Sequence, residues 1–176
     1  MKKGLVHVYY GYGKGKTTCA CGLAVRASGH GKRVLFVSFL KDFRSGEITP
    51  LKNSLDGVEV FLWKPCDKFT FKMTEAEKSE LKLSQLEMLS KALEKAEREM
   101  FDIIILDELL DLIELAFISE EDTADIIINK PYFLEMVITG HEKYDKIFEL
   151  SDYVTEFFCV KHPYQNGIPA RDGIDK

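Results

Sequence analysis

Eight residues, Gly11-Tyr12-Gly13-Lys14-Gly15-Lys16-Thr17-Thr18, join the apolar stretch Leu5-Val6-His7-Val8-Tyr9-Tyr10 to the run Cys19-Ala20-Cys21-Gly22-Leu23-Ala24-Val25-Arg26-Ala27. The first stretch reads as a buried strand and the last as a helix, so the chain must pass from strand to helix through a glycine-rich loop. Glycine costs chain entropy, and three of them interleaved with two lysines mark a backbone with a task. Without Cβ atoms in the way, loop N–H groups can crowd around an anion, and the helix N-terminus adds donors and partial positive charge. Lys16 supplies a point charge for phosphate, and the Thr17 hydroxyl can ligate magnesium. The bland alternative is a glycine-rich turn with surface lysines. The general pattern G-x-x-x-x-G-K-[ST] puts its first glycine at position 10, where this chain has Tyr10, so the loop is a variant of the P-loop. All eight residues from Gly11 to Thr18 are candidates for holding a nucleotide.

A length of 176 residues is expected to form one domain across 1–176, large enough for a real core. The formal net charge of -5 argues against general affinity for nucleic-acid backbone or an anionic membrane. No apolar run approaches the roughly 20 residues of a membrane helix. Met1-Lys2-Lys3-Gly4 has no signal-peptide architecture, so a cytoplasmic location is expected. The four cysteines show no disulfide or metal framework. Cys19 and Cys21 point in different directions on a helix, Cys66 falls in a loop and Cys159 in a late strand, and all are read as reduced thiols.

Short apolar runs alternate with helical patterns. Gly29-His30-Gly31 stops the first helix. Arg33 to Leu40 reads as a second strand and Val58 to Trp63 as a third. Thr74-x-x-Glu77 opens a long helix to Met100 as a capping box, with Leu86, Leu89, Leu93, Ala96 and Met100 on one core-packing face. Phe101 to Leu106 is the most apolar strand and belongs at the sheet centre. Ser119-x-x-Asp122 starts another helix, which stops near Asn129-Lys130-Pro131. Phe133 to Ile138 is a strand, Tyr144 to Leu150 a helix and Tyr153 to Val160 a last strand. The alternation predicts an α/β fold, a mostly parallel sheet with helices on both faces. Ligands in such folds bind at the carboxyl ends of strands. The glycine loop, Asp107-Glu108, Thr139-Gly140-His141 and Lys161-His162 all fall at such ends.

Paired carboxylates behind a buried strand suit Mg²⁺ beside a phosphate loop, since that ion takes one or two carboxylates, a hydroxyl, phosphate oxygens and waters. Either Asp107 or Glu108 is expected to face Thr17; both could instead cap the next helix. His7 reads as a packed histidine and His30 as a solvated one, while His141 and His162 sit at the binding edge. Phe69 and Phe71 stand in the polar loop Lys64 to Lys72, as core plugs or as an apolar wall for a large flat ligand. The tail from Val160 to Lys176 lacks a regular period; it is either a loose end or a segment folded back over the nucleotide.

Together these elements resemble the ATP:corrinoid adenosyltransferases of the cobalamin-synthesis and salvage type. The family loop reads Gly-Asn-Gly-Lys-Gly-Lys-Thr-Thr and also lacks the first P-loop glycine. Similar too are Ala27 to Val34, Phe39-Leu40-Lys41, Leu106-Asp107-Glu108-Leu109, Val137-Ile138-Thr139-Gly140, Val160-Lys161-His162-Pro163 and the closing Gly167 to Asp175. The resemblance covers nearly the whole chain. It implies that a cobalt(I) corrinoid attacks the 5′ carbon of ATP and that triphosphate leaves. ATP would lie in the reverse sense along the loop, presenting its 5′ carbon to the corrinoid. By matching position, Lys16 would bind phosphates and Thr17 with Glu108 would hold the metal. Phe69 and Phe71 would wedge under the corrin, keep a lower ligand off cobalt and ease its reduction. The resemblance further implies a homodimer and a flavoprotein reductant. Four positions depart from the family: Tyr12 replaces asparagine, His141 replaces arginine, four residues precede the strand where a helical extension is common, and Lys176 stands where an aromatic is expected. An ordinary P-loop kinase or ATPase and a non-catalytic, ATP-gated corrinoid-binding protein are the competing expectations.

Overall fold

The computed structural model describes residues 2–40, 46–62 and 73–175. Phe69, Phe71, Cys66 and Lys41 lie outside the described residues, as do Trp63 and Lys176.

Six strands form one sheet in the order β3-β2-β4-β5-β1-β6, every pair parallel. They are β1 (Val6–Tyr10), β2 (Val34–Ser38), β3 (Val58–Phe61), β4 (Ile103–Asp107), β5 (Glu135–Thr139) and β6 (Tyr153–Glu156). The helices are α1 (Lys16–Ser28), α2 (Ile48–Ser54), α3 (Glu75–Arg98), α4 (Leu109–Glu114), α5 (Glu120–Ile128) and α6 (Asp145–Glu149). β2 and β4 are buried at all five residues each, which explains their unbroken apolar sequences.

Side chains alternate across the sheet into two cores. Leu35, Val37, Ile104, Leu106, Met136 and Ile138 face α3 and its neighbours. Val34, Phe36, Ile103, Ile105 and Val137 face α1 and α2. Ala20, Ala24 and Ala27 form the buried stripe of α1, and side chains this small let the helix lie close on the sheet. Helix α1 crosses β5, β4 and β2, which carries its N-terminus toward the carboxyl end of β4.

Thr74 caps α3, and the capping box with Glu77 is formed in both directions. The buried face of α3 consists of Leu81, Ser84, Gln85, Met88, Leu89, Ala92 and Ala96, with Leu86 and Leu93 at its margins. Met100 does not extend this face. The helix ends at Arg98, Met100 takes φ 56°, and its side chain is 46% exposed. The last strand is also shorter than expected, ending at Glu156, so Cys159 and Lys161-His162 lie beyond it. Two further helices had no expected bounds. α2 contains Pro50, and α4 is buried at its first four residues, Leu109 to Leu112, so no polar face reveals its period.

Candidate active site

The glycine loop emerges from β1 between two main-chain anchors. The Gly11 N–H donates to the His141 carbonyl at 3.0 Å, and the Gly13 N–H to the Phe157 carbonyl at 2.6 Å. A Cβ on Gly11 or Gly13 would stand 2.6 or 2.5 Å from that Phe157 oxygen, and Gly11 has φ 106°. These two glycines therefore serve the scaffold, and their amides are engaged there. The donors that a phosphate would meet come from further along. Gly15 is the N-cap of α1, and the first-turn amides have no carbonyl of their own helix to bond. Tyr12, between the anchors, is 67% exposed; its hydroxyl donates to Glu142 and its ring lies 5.4 Å from that of His141. Lys14 reaches the tail. Thr18, in the first turn of α1, completes the predicted set.

Lys16 folds over the loop, its Nζ donating to the Gly11 carbonyl at 2.5 Å and the Gly13 carbonyl at 3.3 Å. The ammonium is thus held at the mouth of the cradle. Thr17 Oγ1 donates to Asp107, 3.0 Å from Oδ1 and 3.3 Å from Oδ2. Asp107 is 0% exposed and also accepts from Thr139 Oγ1 at 2.8 Å. The Thr139 hydroxyl in turn accepts the Glu108 N–H at 2.9 Å, so the ends of β4 and β5 are tied together. Of the two acids, the structure places Asp107 on Thr17, while Glu108 stands at the N-cap of α4 with φ 67°. A buried carboxylate beside a hydroxyl is the hard-oxygen donor set that Mg²⁺ takes next to phosphates. Among the described residues no group of three or more His, Cys, Asp or Glu side chains forms a metal cage.

His141 lies at the same edge, pinned through both its backbone and its ring. Its N–H donates to Asp111 Oδ1 at 3.0 Å, and its Nδ1 is 2.8 Å from the same oxygen. The Asp111 contact raises the imidazole pKa above its ordinary value, against opposing contributions from burial and Lys16. His7 is a packing residue as expected, stacked on Tyr153 at 4.4 Å and paired with Glu135 at 2.7 Å. His162 stands apart, capping the short turn Pro163–Asn166 through the Tyr164 N–H.

The tail folds back onto the loop. Lys14 Nζ pairs with Asp175 at 2.7 Å and donates to the Ile174 carbonyl, and Arg171 Nε donates to Asp175 at 2.9 Å. Lys14 and Arg171 hold the Asp175 carboxyl well below the usual carboxylate range. A cavity of about 160 Å³ lies between Lys14, Tyr164, Ile168 and Asp175.

A sequence profile of the ATP:corrinoid adenosyltransferases BtuR/CobO/CobP matches residues 2–175. The chain belongs to this family. Similar proteins include the Corrinoid adenosyltransferase of Escherichia coli (strain K12), 33% identical over 175 residues, which span 99% of this chain and 86% of that protein. The Corrinoid adenosyltransferase CobA of Salmonella typhimurium (strain LT2) is 31% identical over the same shares of both chains. A Corrinoid adenosyltransferase of Pseudomonas aeruginosa is 29% identical over 181 residues, spanning 99% and 84%. Membership in the adenosyltransferase family disfavours the kinase or ATPase alternative. No helix among the described residues is long and apolar enough to cross a membrane.

Sequence reasoning found the loop, the acidic pair and the strand-end edge. It missed Asp111, Thr139 and Phe157 as partners. Asp111 left one signal, a lone acid in the apolar run Leu109-Leu110-Asp111-Leu112-Ile113. Phe157 acts through its carbonyl and leaves none.

Proposed function

We propose that this chain transfers the 5′-deoxyadenosyl group of ATP to the cobalt(I) of a reduced corrinoid and releases triphosphate. The family match over residues 2–175 carries this reading, laid on a loop that delivers Thr17 to a buried carboxylate. In the reaction the C5′–O bond breaks as the carbon–cobalt bond forms, and the electron pair leaves with the triphosphate. Substrate cobalt is the nucleophile, so the protein needs no Ser, Cys or His nucleophile. Its task is to hold the nucleotide and receive the charge that builds on the leaving group. The amides of Gly15 to Thr18, at the N-terminus of α1, and the Lys16 ammonium are suited to that. Thr17 with Asp107 and Glu108 would hold Mg²⁺, which supplies further neutralisation of the polyphosphate.

Phe69 and Phe71 are proposed, on the resemblance alone, to support the corrin and exclude its lower ligand. The same resemblance extends the proposal to a homodimer and a flavoprotein electron source. Sedimentation and reconstitution with a reduced flavoprotein test those two points. An anaerobic assay of reduced cobalamin with ATP and Mg²⁺ tests the reaction itself. Adenosylated corrinoid and triphosphate are expected; ADP with unchanged corrinoid would overturn the reading. Phe71→Ala is expected to impair transfer and spare ATP affinity, and an equal loss of both would remove its wedge role.

A further inference from the structure

The Asp111–His141 pair is a charged contact beside the loop that the reaction just described leaves without a task. Asp111 lies on α4 with its side chain 10% exposed, and its Oδ2 is buried without a hydrogen-bond partner. Its side-chain hydrogen bonds among the described residues converge on one residue: Oδ1 meets both the N–H and the Nδ1 of His141. A carboxylate this enclosed is costly to keep charged unless a cation is paired with it. The imidazole Nδ1 stands 2.8 Å from that carboxylate, and the contact raises the pKa of the ring. With Nδ1 on Asp111, Nε2 is the ring nitrogen left for a further partner, and the side chain remains 41% exposed, open to solvent.

That open side is where the anion would lie. The His141 carbonyl accepts from the Gly11 amide, which ties His141 to the loop. Lys16 and Glu108 are near enough to act on the ring electrostatically, Lys16 disfavouring its charge and Glu108 favouring it. Tyr12 covers one side of the ring. Asp111, Lys16, Glu108 and Tyr12 are thus the charged and titratable groups around it, with Glu142 following in sequence and bonded to Tyr12. An anion lying between Lys16 and a protonated imidazole at the same strand-end edge is attracted by both. A polyphosphate is such an anion.

We propose that His141, kept protonated by buried Asp111, is a polyphosphate-binding residue whose Nε2–H donates to the nucleotide, so that nucleotide affinity weakens as the ring loses its proton. The proposal rests on the site binding ATP as described above, and it adds a pH-dependent donor to that site.

The test is MgATP binding by calorimetry from pH 5.5 to 9 on wild type, His141→Gln and Asp111→Asn. ATP's own titration cancels in the ratio of two dissociation constants measured at the same pH. The ratio of His141→Gln to wild type is expected to be roughly tenfold at low pH, the worth of one charge-assisted hydrogen bond, and to fall toward unity as the ring deprotonates. Asp111→Asn is expected to move that fall to lower pH. A His141→Arg protein, charged throughout, is expected to lose the pH dependence and stay tight. The imidazole Cε1–H signal, followed by NMR, is expected to titrate at higher pH with nucleotide bound. A ratio near unity at every pH, or an imidazole midpoint unmoved by ATP, would overturn the proposal. Adenosyl transfer is assayed on the same preparations: transfer with a flat ratio removes this inference alone, and a pH-linked ratio without transfer removes the reaction and leaves His141 as a nucleotide ligand.

Discussion

At the scale of single residues, the site rests on three side chains held by different means. Lys16 is positioned by its own loop's carbonyls, and its proposed task is to meet the charge that builds on the leaving group. Lys16→Ala is expected to lower kcat/KM for adenosyl transfer about 10²-fold or more, read by the corrinoid spectrum under anaerobic conditions. Asp107 is fixed by Thr17 and Thr139, so Asp107→Asn is expected to raise the Mg²⁺ concentration for half-maximal rate roughly tenfold or more, with a melting curve as control. His141 makes fold stability itself pH-dependent. Its folded pKa is raised above the unfolded value of about 6.5, so its pairing with Asp111 stabilises fully below that value. The contribution is lost as pH climbs through the higher folded value. Melting temperatures are expected to decline over that window in wild type more than in Asp111→Asn.

These three residues were unequally legible in the sequence. Lys16 and Thr17 sit in a contiguous motif whose chemistry is local. Asp107 could be placed near Thr17 because a strand end and a helix start share the binding edge of a parallel sheet, but choosing it over Glu108 required the side-chain geometry. The Asp111–His141 pair joins positions 30 apart across two elements, and no periodicity links them.

At the scale of elements, continuous apolar runs disclosed the strands because both sheet faces are covered, and local hydrogen-bonding chemistry disclosed the starts of α3 and α5. Thr74 and Ser119 each cap as their spacing predicts, accepting from the N–H groups of Glu77 and Asp122. Thr74→Ala is expected to cost about 1 kcal/mol of stability, measured by chemical denaturation. α4 escaped notice because Leu109 to Leu112 are all buried, which erases the amphipathic signal. Met100 was misplaced because the helical period says nothing of where the helix stops. α4 also packs closely against the residue that follows β5. A Cβ on Gly140 would lie 2.4 Å from Leu110 Cβ, so Gly140→Ala is expected to cost about 1–3 kcal/mol and to disturb the neighbouring His141 backbone.

At the scale of the whole molecule, the carboxyl edge of the sheet gathers contributions from opposite ends of the chain. Lys14 near the start and Asp175 near the end form one ion pair, and Arg171 reinforces it. The depressed pKa of Asp175 means that this contact stabilises the docked tail above the ordinary carboxylate value of 3.8 and is lost as pH falls toward the lower folded value. The tail is expected to stay docked throughout the neutral range, and Asp175→Asn is expected to raise amide exchange at residues 171–174, read by NMR.

Gly11 and Gly13 are each clamped to a neighbouring segment, with Tyr12 projecting outward between them. The main-chain contour of the phosphate grip is therefore settled before any nucleotide arrives, and little ordering entropy is left for the nucleotide to overcome. The projecting side chain at position 12 carries no such duty. It is where this scaffold can exchange one chemical group for another, adjusting what it admits without rebuilding the turn beneath.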